Sequence, residues 1–79
     1  MRFYVLSLNG ECRIIKASLR APLSEINYAA FGVPYGVKFI GTERNLAIAI
    51  RTGFDAGFKE AIMDGERISL EPVGLAGVV

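Results

Sequence analysis

Two apolar runs, residues 2–8 (RFYVLSL) and residues 11–19 (ECRIIKASL), are separated in this sequence by the dipeptide Asn9-Gly10. Asn-Gly accommodates the two positive φ angles that a two-residue type I′ turn requires. Runs rich in β-branched and aromatic residues on either side of such a turn are typical of paired strands. The sequence therefore predicts that the fold begins with a β-hairpin.

A two-residue loop also determines which residues of the hairpin face each other. Val5 is expected opposite Ile14, and Tyr4 opposite Ile15. Because successive side chains of a strand point to opposite faces, apolar residues then lie on both faces of the hairpin. Such a hairpin needs cover on both sides, or it leaves one face as a binding surface.

A short helix is predicted after the hairpin. Pro22 ends the second strand, and residues 23–32 follow with a helical composition that ends in Gly32. Ser24 is the expected N-cap, because its hydroxyl accepts a hydrogen bond from a free backbone N–H, and Gly32 is the expected left-handed stop. Residues 37–40 are predicted to form a short strand.

The longest periodic stretch is residues 43–64. Its apolar residues recur at the spacing of one face of an α-helix, with charged residues opposite, which predicts one long amphipathic helix. Thr42 is the expected N-cap of this helix, and Gly65 is the residue expected to stop it.

A second interpretation divides the same stretch. Residues 46–50 alternate alanine with leucine and isoleucine, which favours a strand paired with residues 37–40 and followed by a shorter helix that starts near Gly53. We adopt the single long helix and keep the divided form as the alternative. Residues 67–71 are predicted to form a last strand, closed by Pro72.

The predicted fold class is α+β in a small single domain, residues 1–79. Its antiparallel sheet begins with the hairpin, one long amphipathic helix packs on the sheet, and the element order is β-β-α-β-α-β. Residues 73–79 (VGLAGVV) form an apolar tail, interpreted as a flexible end, an added edge strand or a segment bound by a partner.

Composition bears on partners and compartment. Hydrophobic residues make up 52% of the sequence, more than so short a chain easily buries, which favours a permanent interface. The net charge of +1 argues against binding a polyanion with the whole surface. Cys12 is the single cysteine, and no apolar run approaches the roughly 20 residues of a membrane span. We therefore expect a cytoplasmic protein without a membrane segment.

The residue types needed for common catalysis are missing. The sequence has no histidine, which is the commonest general base and the commonest protein ligand of metals. Without it, neither a Ser-His or Cys-His nucleophile nor a zinc site within one chain is expected. The glycines at 32, 36 and 41 are not spaced as a phosphate-binding loop. The sequence predicts no enzymatic activity, no cofactor and no bound metal.

Small residues recur at every fourth position of the predicted long helix. A strip without side-chain bulk lets another backbone approach closely, either this chain's own sheet or a second helix across a two-fold axis. The predicted protein interface combines the strip with two neighbouring apolar residues: Ile48, Ala49, Gly53, Gly57, Ala61 and Met63.

These observations favour a non-catalytic protein-binding module that occupies a surface of another protein or assembly. A compact chain of this size without chemistry of its own is also what a stoichiometric inhibitor or a small viral accessory protein would look like, and a homodimer is a further expectation. The alternative is a protein that binds single-stranded nucleic acid, because basic side chains contact phosphates and aromatic rings stack on bases. The residues predicted for that role belong mostly to the hairpin: Arg2, Tyr4, Arg13, Lys16, Arg20 and Lys38.

Overall fold

The computed structural model describes residues 1–71, which form a five-stranded sheet and two helices. The elements in chain order are β1 (Arg2–Leu8), β2 (Glu11–Ala17), α1 (Leu23–Phe31), β3 (Lys38–Glu43), α2 (Leu46–Asp55), β4 (Glu60–Met63) and β5 (Glu66–Ser69). The strands are arranged β3-β1-β2-β4-β5, and only β2 and β4 pair in parallel. The α+β class is confirmed, whereas the purely antiparallel sheet and the predicted element order are wrong.

The predicted hairpin is confirmed in both its turn and its register. Val5 pairs with Ile14 and Tyr4 with Ile15. Asn9 and Gly10 have φ angles of 51° and 82°, the positive values that a type I′ turn requires. The local chemistry of this dipeptide therefore sets the alignment of the two central strands.

The two helices lie on opposite faces of the sheet. The α1 crossover carries the chain from β2 past β1 to β3, and the α2 crossover carries it back from β3 to β4. Crossovers of one hand that travel in opposite directions must use opposite faces. Each helix closes its own core, here called the α1 side (Tyr4, Leu6, Ile26 and Ala30) and the α2 side (Val5, Cys12, Ile14, Ala49, Ala61 and Leu70).

Helix α1 agrees with its prediction except at its first residue. Gly32 is the left-handed C-cap, with φ of 78° and its N–H donating to the Tyr28 carbonyl at 2.7 Å. Ser24 is not the N-cap. The Pro22 carbonyl accepts the Ile26 N–H at 3.1 Å, so the helix starts earlier and Ser24 lies within its first turn.

The prediction of one long helix is wrong. The alternative, in which residues 46–50 form a strand followed by a shorter helix, is wrong too. Residues 46–50 are helical, but α2 ends at Asp55, and Gly57 turns the chain with φ of 104°. Thr42 belongs to β3, and the true N-cap is Asn45, whose side chain accepts the Ile48 N–H at 2.9 Å. The helical spacing of apolar residues continues past Gly57, but the chain after it forms strands.

A second hairpin replaces the end of the predicted long helix. Asp64 and Gly65 have φ angles of 53° and 77°, and Met63 pairs with Glu66 across them. Gly65 is therefore a turn residue and not a helix stop. The last strand is β5, slightly earlier than predicted; Pro72 and the predicted tail, residues 73–79, lie outside the described residues.

Strand β3 contains a bulge where it pairs with β1. Val5 pairs with Gly41, and the next residue, Leu6, pairs with Phe39, so Ile40 is an extra residue in β3. An extra residue reverses the alternation of faces along a strand. The alternation of β3 side chains between the α1 face and the α2 face is therefore reversed from one side of Ile40 to the other.

Candidate protein-binding surface

The structure separates the residues of the predicted interface. Ala49, Gly53 and Ala61 are buried in the α2-side core. A Cβ atom added at Gly53 would lie 2.9 Å from Cδ1 of Leu70, closer than van der Waals contact. The small residues of α2 thus let this helix pack closely on the chain's own sheet.

The other three predicted interface residues lie apart from that contact. Gly57 follows the end of α2 and is exposed, with open space where a Cβ would be added. Met63 is half-buried in β4, against the α2-side core. Ile48 is 47% exposed on α2. Because α2 ends before Gly57, the six residues do not form one continuous strip.

Two members of the predicted nucleic-acid set are engaged within the fold. Tyr4 is only 5% exposed, and its hydroxyl donates to a backbone carbonyl. Arg13 forms an ion pair with Glu11, donates to the Ala30 carbonyl at 2.8 Å and lies over the Phe31 ring at 4.7 Å from its centroid. Tyr4 is thus used within the fold, and Arg13 keeps 35% of its side chain exposed while making these contacts.

The remaining basic residues of that set are dispersed. Lys16 lies over the Phe3 ring, on the face of the sheet opposite Arg13. Arg2 begins β1, whereas Lys38 begins β3 beside the other end of β1. Arg20 lies in the loop before α1. The predicted set therefore does not form a single basic surface.

Most large apolar side chains that remain exposed belong to one side of the molecule. We call this group the α1-side surface, because each residue lies in α1, in a loop leading to or from it, or on the part of β3 that shares its face of the sheet. Its members are Leu19, Leu23, Tyr28, Tyr35 and Phe39. By contrast, Ile48 is the exposed large apolar residue of α2.

Helix α1 and its following loop present the two tyrosines of this surface. Ile26 and Ala30 point into the α1-side core, and Tyr28 lies between them in sequence, on the outer face of the helix and 61% exposed. Tyr35 is 76% exposed in the loop to β3. That loop is fastened to the helix by the Asn27 side-chain amide, which donates to the Pro34 carbonyl at 3.4 Å.

The bulge places Phe39 on the same surface. Its ring meets that of Tyr4 edge to face, with centroids 6.4 Å apart, so Phe39 lies on the α1 side. After the bulge the alternation of faces along β3 is reversed, and Glu43 faces α2. Its carboxylate accepts a hydrogen bond from the Thr52 hydroxyl at 2.7 Å. Without Ile40 as an extra residue, Phe39 would face α2.

Sequence reasoning missed this surface, although part of it had a signal. Tyr35 follows Pro34 and precedes Gly36, and an aromatic residue within a turn is a simple indication of exposure. Tyr28 falls opposite the apolar positions of its own short helix. The exposure of Phe39 had no local signal, because it depends on the register of β3 against β1.

The environment of Cys12 keeps its thiol in the protonated form. Cys12 is buried on the α2 side, and burial raises the pKa of its thiol from 9.0 to about 11, which keeps it protonated at neutral pH. Within residues 1–71, no three histidine, cysteine or acidic side chains come together as metal ligands. In the same range, no helix is long and apolar enough to cross a membrane.

Comparison with protein families, with curated proteins and with solved structures found no match for this chain.

Proposed function

We propose that this chain is a non-catalytic protein-binding module and that the α1-side surface makes the contact. The observation that carries the proposal is that five exposed large apolar side chains lie on α1, on its flanking loops or on the part of β3 that shares its face of the sheet. Exposed apolar area marks interaction sites on small proteins, and tyrosine and phenylalanine are enriched at interfaces. The two tyrosines add a hydroxyl to a large apolar ring, which suits a surface that is wet before binding.

The opposite face of the molecule supports the same choice. On the α2 side the small residues Ala49 and Gly53 are already buried against the sheet. A partner could reach them only by displacing α2. The α1 side needs no rearrangement, since its aromatic rings are exposed in the free chain.

The edges of the sheet are less suited to a partner's strand. The edge strand β3 carries the bulge at Ile40, which interrupts regular pairing. The edge strand β5 has four residues and bears the Arg67 guanidinium, which pairs with Glu60 at 2.7 Å. Short, charged or bulged edges resist strand addition. Side-chain contacts from the α1-side surface are therefore the proposed mode.

A module of this kind acts by covering a surface of its partner, as a stoichiometric inhibitor or a viral accessory protein does. The lack of histidine and the protonated Cys12 thiol support a role without catalysis. A second copy of the chain is the other partner that this surface fits, and the test below distinguishes the two.

The experiment places a photo-crosslinking phenylalanine analogue at Tyr28 or Tyr35 and expresses each chain in its native cell. The matched control carries the analogue at Ile48, which is similarly exposed on α2. We expect an adduct of one discrete mass from positions 28 and 35 and none from position 48. An adduct of twice the chain mass identifies a homodimer. Equal adducts from all three positions, or from position 48 alone, would contradict the proposal.

A further inference from the structure

A cavity of about 270 Å³ lies at the C-terminal end of α2, where that helix meets the ends of β1 and β3. It shares only Phe39 with the α1-side surface. Its walls come from two strands, β1 and β3, and from the turn after α2. The lining residues are Ser7, Lys38, Phe39, Ile40, Ala56 and Phe58.

Ser7 is an unusual residue for its position. It lies on the α2 side of β1, is only 6% exposed and lines the cavity. Within residues 1–71, its hydroxyl makes no hydrogen bond. Because Ser7 lines the cavity, its hydroxyl is available to form a hydrogen bond with a molecule held there.

Lys38 brings a positive charge to the same cavity. It pairs directly with Ser7 across the β1–β3 ladder. The bulge at Ile40 turns Lys38 toward the α2 side, for the same reason that it turns Phe39 away. Among the described residues, no carboxylate lies within ion-pair distance of the Lys38 ammonium. The cavity therefore has, among the described residues, a lysine without an ion-pair partner beside a serine hydroxyl that lines the same space.

A second cavity differs from the first in how its charged side chains are paired. It measures about 190 Å³ and lies where β2 meets β4, with Glu11, Glu60 and Arg67 among its lining residues. Its charges are already neutralised, because Arg67 pairs with Glu60 and Glu11 pairs with Arg13. It offers no comparable site for a charged ligand.

We infer that the Ser7–Lys38 cavity binds a small organic carboxylate with an apolar body. Lys38 pairs with the carboxylate, and the Ser7 hydroxyl donates to it. Ile40, Ala56 and Phe58 enclose the apolar part. The C-terminal end of a helix carries partial negative charge, so the carboxylate lies on the Lys38 side and the apolar body lies under the end of α2. The volume is at the small end of ligand pockets, which limits the ligand to about the size of one ring and its acid group.

The test uses phenylacetate and its neutral counterpart phenylacetamide as probes of the whole chain. Backbone amide resonances are followed by NMR as each probe is added up to millimolar concentration. We expect phenylacetate to shift the resonances of Ser7, Ile40 and Phe58 and to bind at least tenfold more tightly than phenylacetamide. Inorganic phosphate, which has the charge without the apolar body, is expected to bind more weakly than phenylacetate.

Variants separate this site from general attraction to a charged surface. Lys38→Met should weaken phenylacetate at least tenfold and leave phenylacetamide unchanged, and Ser7→Ala should weaken phenylacetate severalfold. The control is Lys59→Met, because Lys59 is exposed and does not line the cavity. Equal binding of acid and amide to the unmodified chain, the absence of localised shifts, or an equal effect of Lys59→Met would overturn the inference.

Discussion

The two faces of the sheet differ in how their helices cover them. On the α2 side the helix approaches so closely that a Cβ atom added at Gly53 would lie 2.9 Å from Cδ1 of Leu70, and one of the two would have to shift. On the α1 side the nine-residue helix α1 buries Ile26 and Ala30 but leaves Tyr28 and the neighbouring Phe39 exposed. One face thus uses small residues to close a core, and the other keeps large rings in water. A closely packed core and a set of exposed rings thus lie on opposite faces of one sheet, which is the arrangement that the proposed function requires.

The largest expected effect comes from adding bulk on the closed face. Gly53→Leu places a side chain where Leu70 and Cys12 already lie, and overpacking of this kind costs about 3 kcal/mol in the free energy of unfolding. The control is Ala29→Leu, which adds bulk at an exposed position of α1 and should change stability by no more than about 0.5 kcal/mol. Denaturant unfolding measures both. Similar costs at the two positions would mean that the faces do not differ in packing.

Alkaline pH probes the same closed face through Cys12. Burial raises the pKa of this thiol to about 11, above its ordinary value of 9.0, so the folded chain holds the proton at a pH where the unfolded chain releases it. The contribution of the protonated thiol to the free energy of unfolding is therefore fully present below about pH 9. It is lost as the pH rises toward 11, because the unfolded chain releases the proton first. Between pH 8 and 10.5 the unmodified chain should lose about 2 kcal/mol more than Cys12→Ala does. Identical losses would show that the α2 side admits solvent to the thiol.

The smallest effect on stability is expected on the open face. Tyr28→Ser and Phe39→Ser remove exposed rings, so the free energy of unfolding should change by only about 0.5 kcal/mol for Tyr28 and somewhat more for Phe39, which touches Tyr4. The affinity for the partner that crosslinking identifies should nevertheless fall at least tenfold, whereas Ile48→Ser should leave this affinity unchanged. Chemical unfolding and a binding titration on the same samples make the measurement. A large loss of stability without a loss of binding would reverse the roles given to the two faces.

Local chemistry explains what the sequence predicted well. Asn9 and Gly10 can form their turn from their own conformational preferences, and that turn aligns β1 with β2. Gly32 likewise ends α1 by adopting a left-handed conformation. These features depend on neighbours along the chain, so they can be derived without knowing the fold.

The region after residue 43 was predicted less well because two signals compete there. Apolar residues keep a helical spacing past the point where α2 ends, and this spacing makes Gly65 look like a helix stop, whereas Asp64-Gly65 forms a turn like that of the first hairpin. Asn45 as N-cap and the positive φ of Gly57 restrict the helix to ten residues. A prediction based on apolar periodicity alone cannot find where this helix ends.

The candidate sites depended on contacts between distant parts of the chain. The bulge at Ile40 arises from how β3 aligns with β1, and it decides the faces of both Lys38 and Phe39. No property of residues 37–40 alone predicts it. The burial of Ala49 and Gly53 similarly follows from which side of α2 meets the sheet, so the sequence could mark them as small but could not say what they contact.

The single parallel pairing in the sheet has a consequence for the order of folding. The two hairpins, β1–β2 and β4–β5, each pair strands that are close in sequence. The parallel pairing of β2 with β4 instead brings together Arg13 and Ile62, which are far apart in the sequence. Contacts between distant residues form late, because a long loop must close first. We therefore expect the β4–β5 hairpin to dock last and to detach first in partial unfolding, which would expose its backbone amides to hydrogen exchange before those of β1.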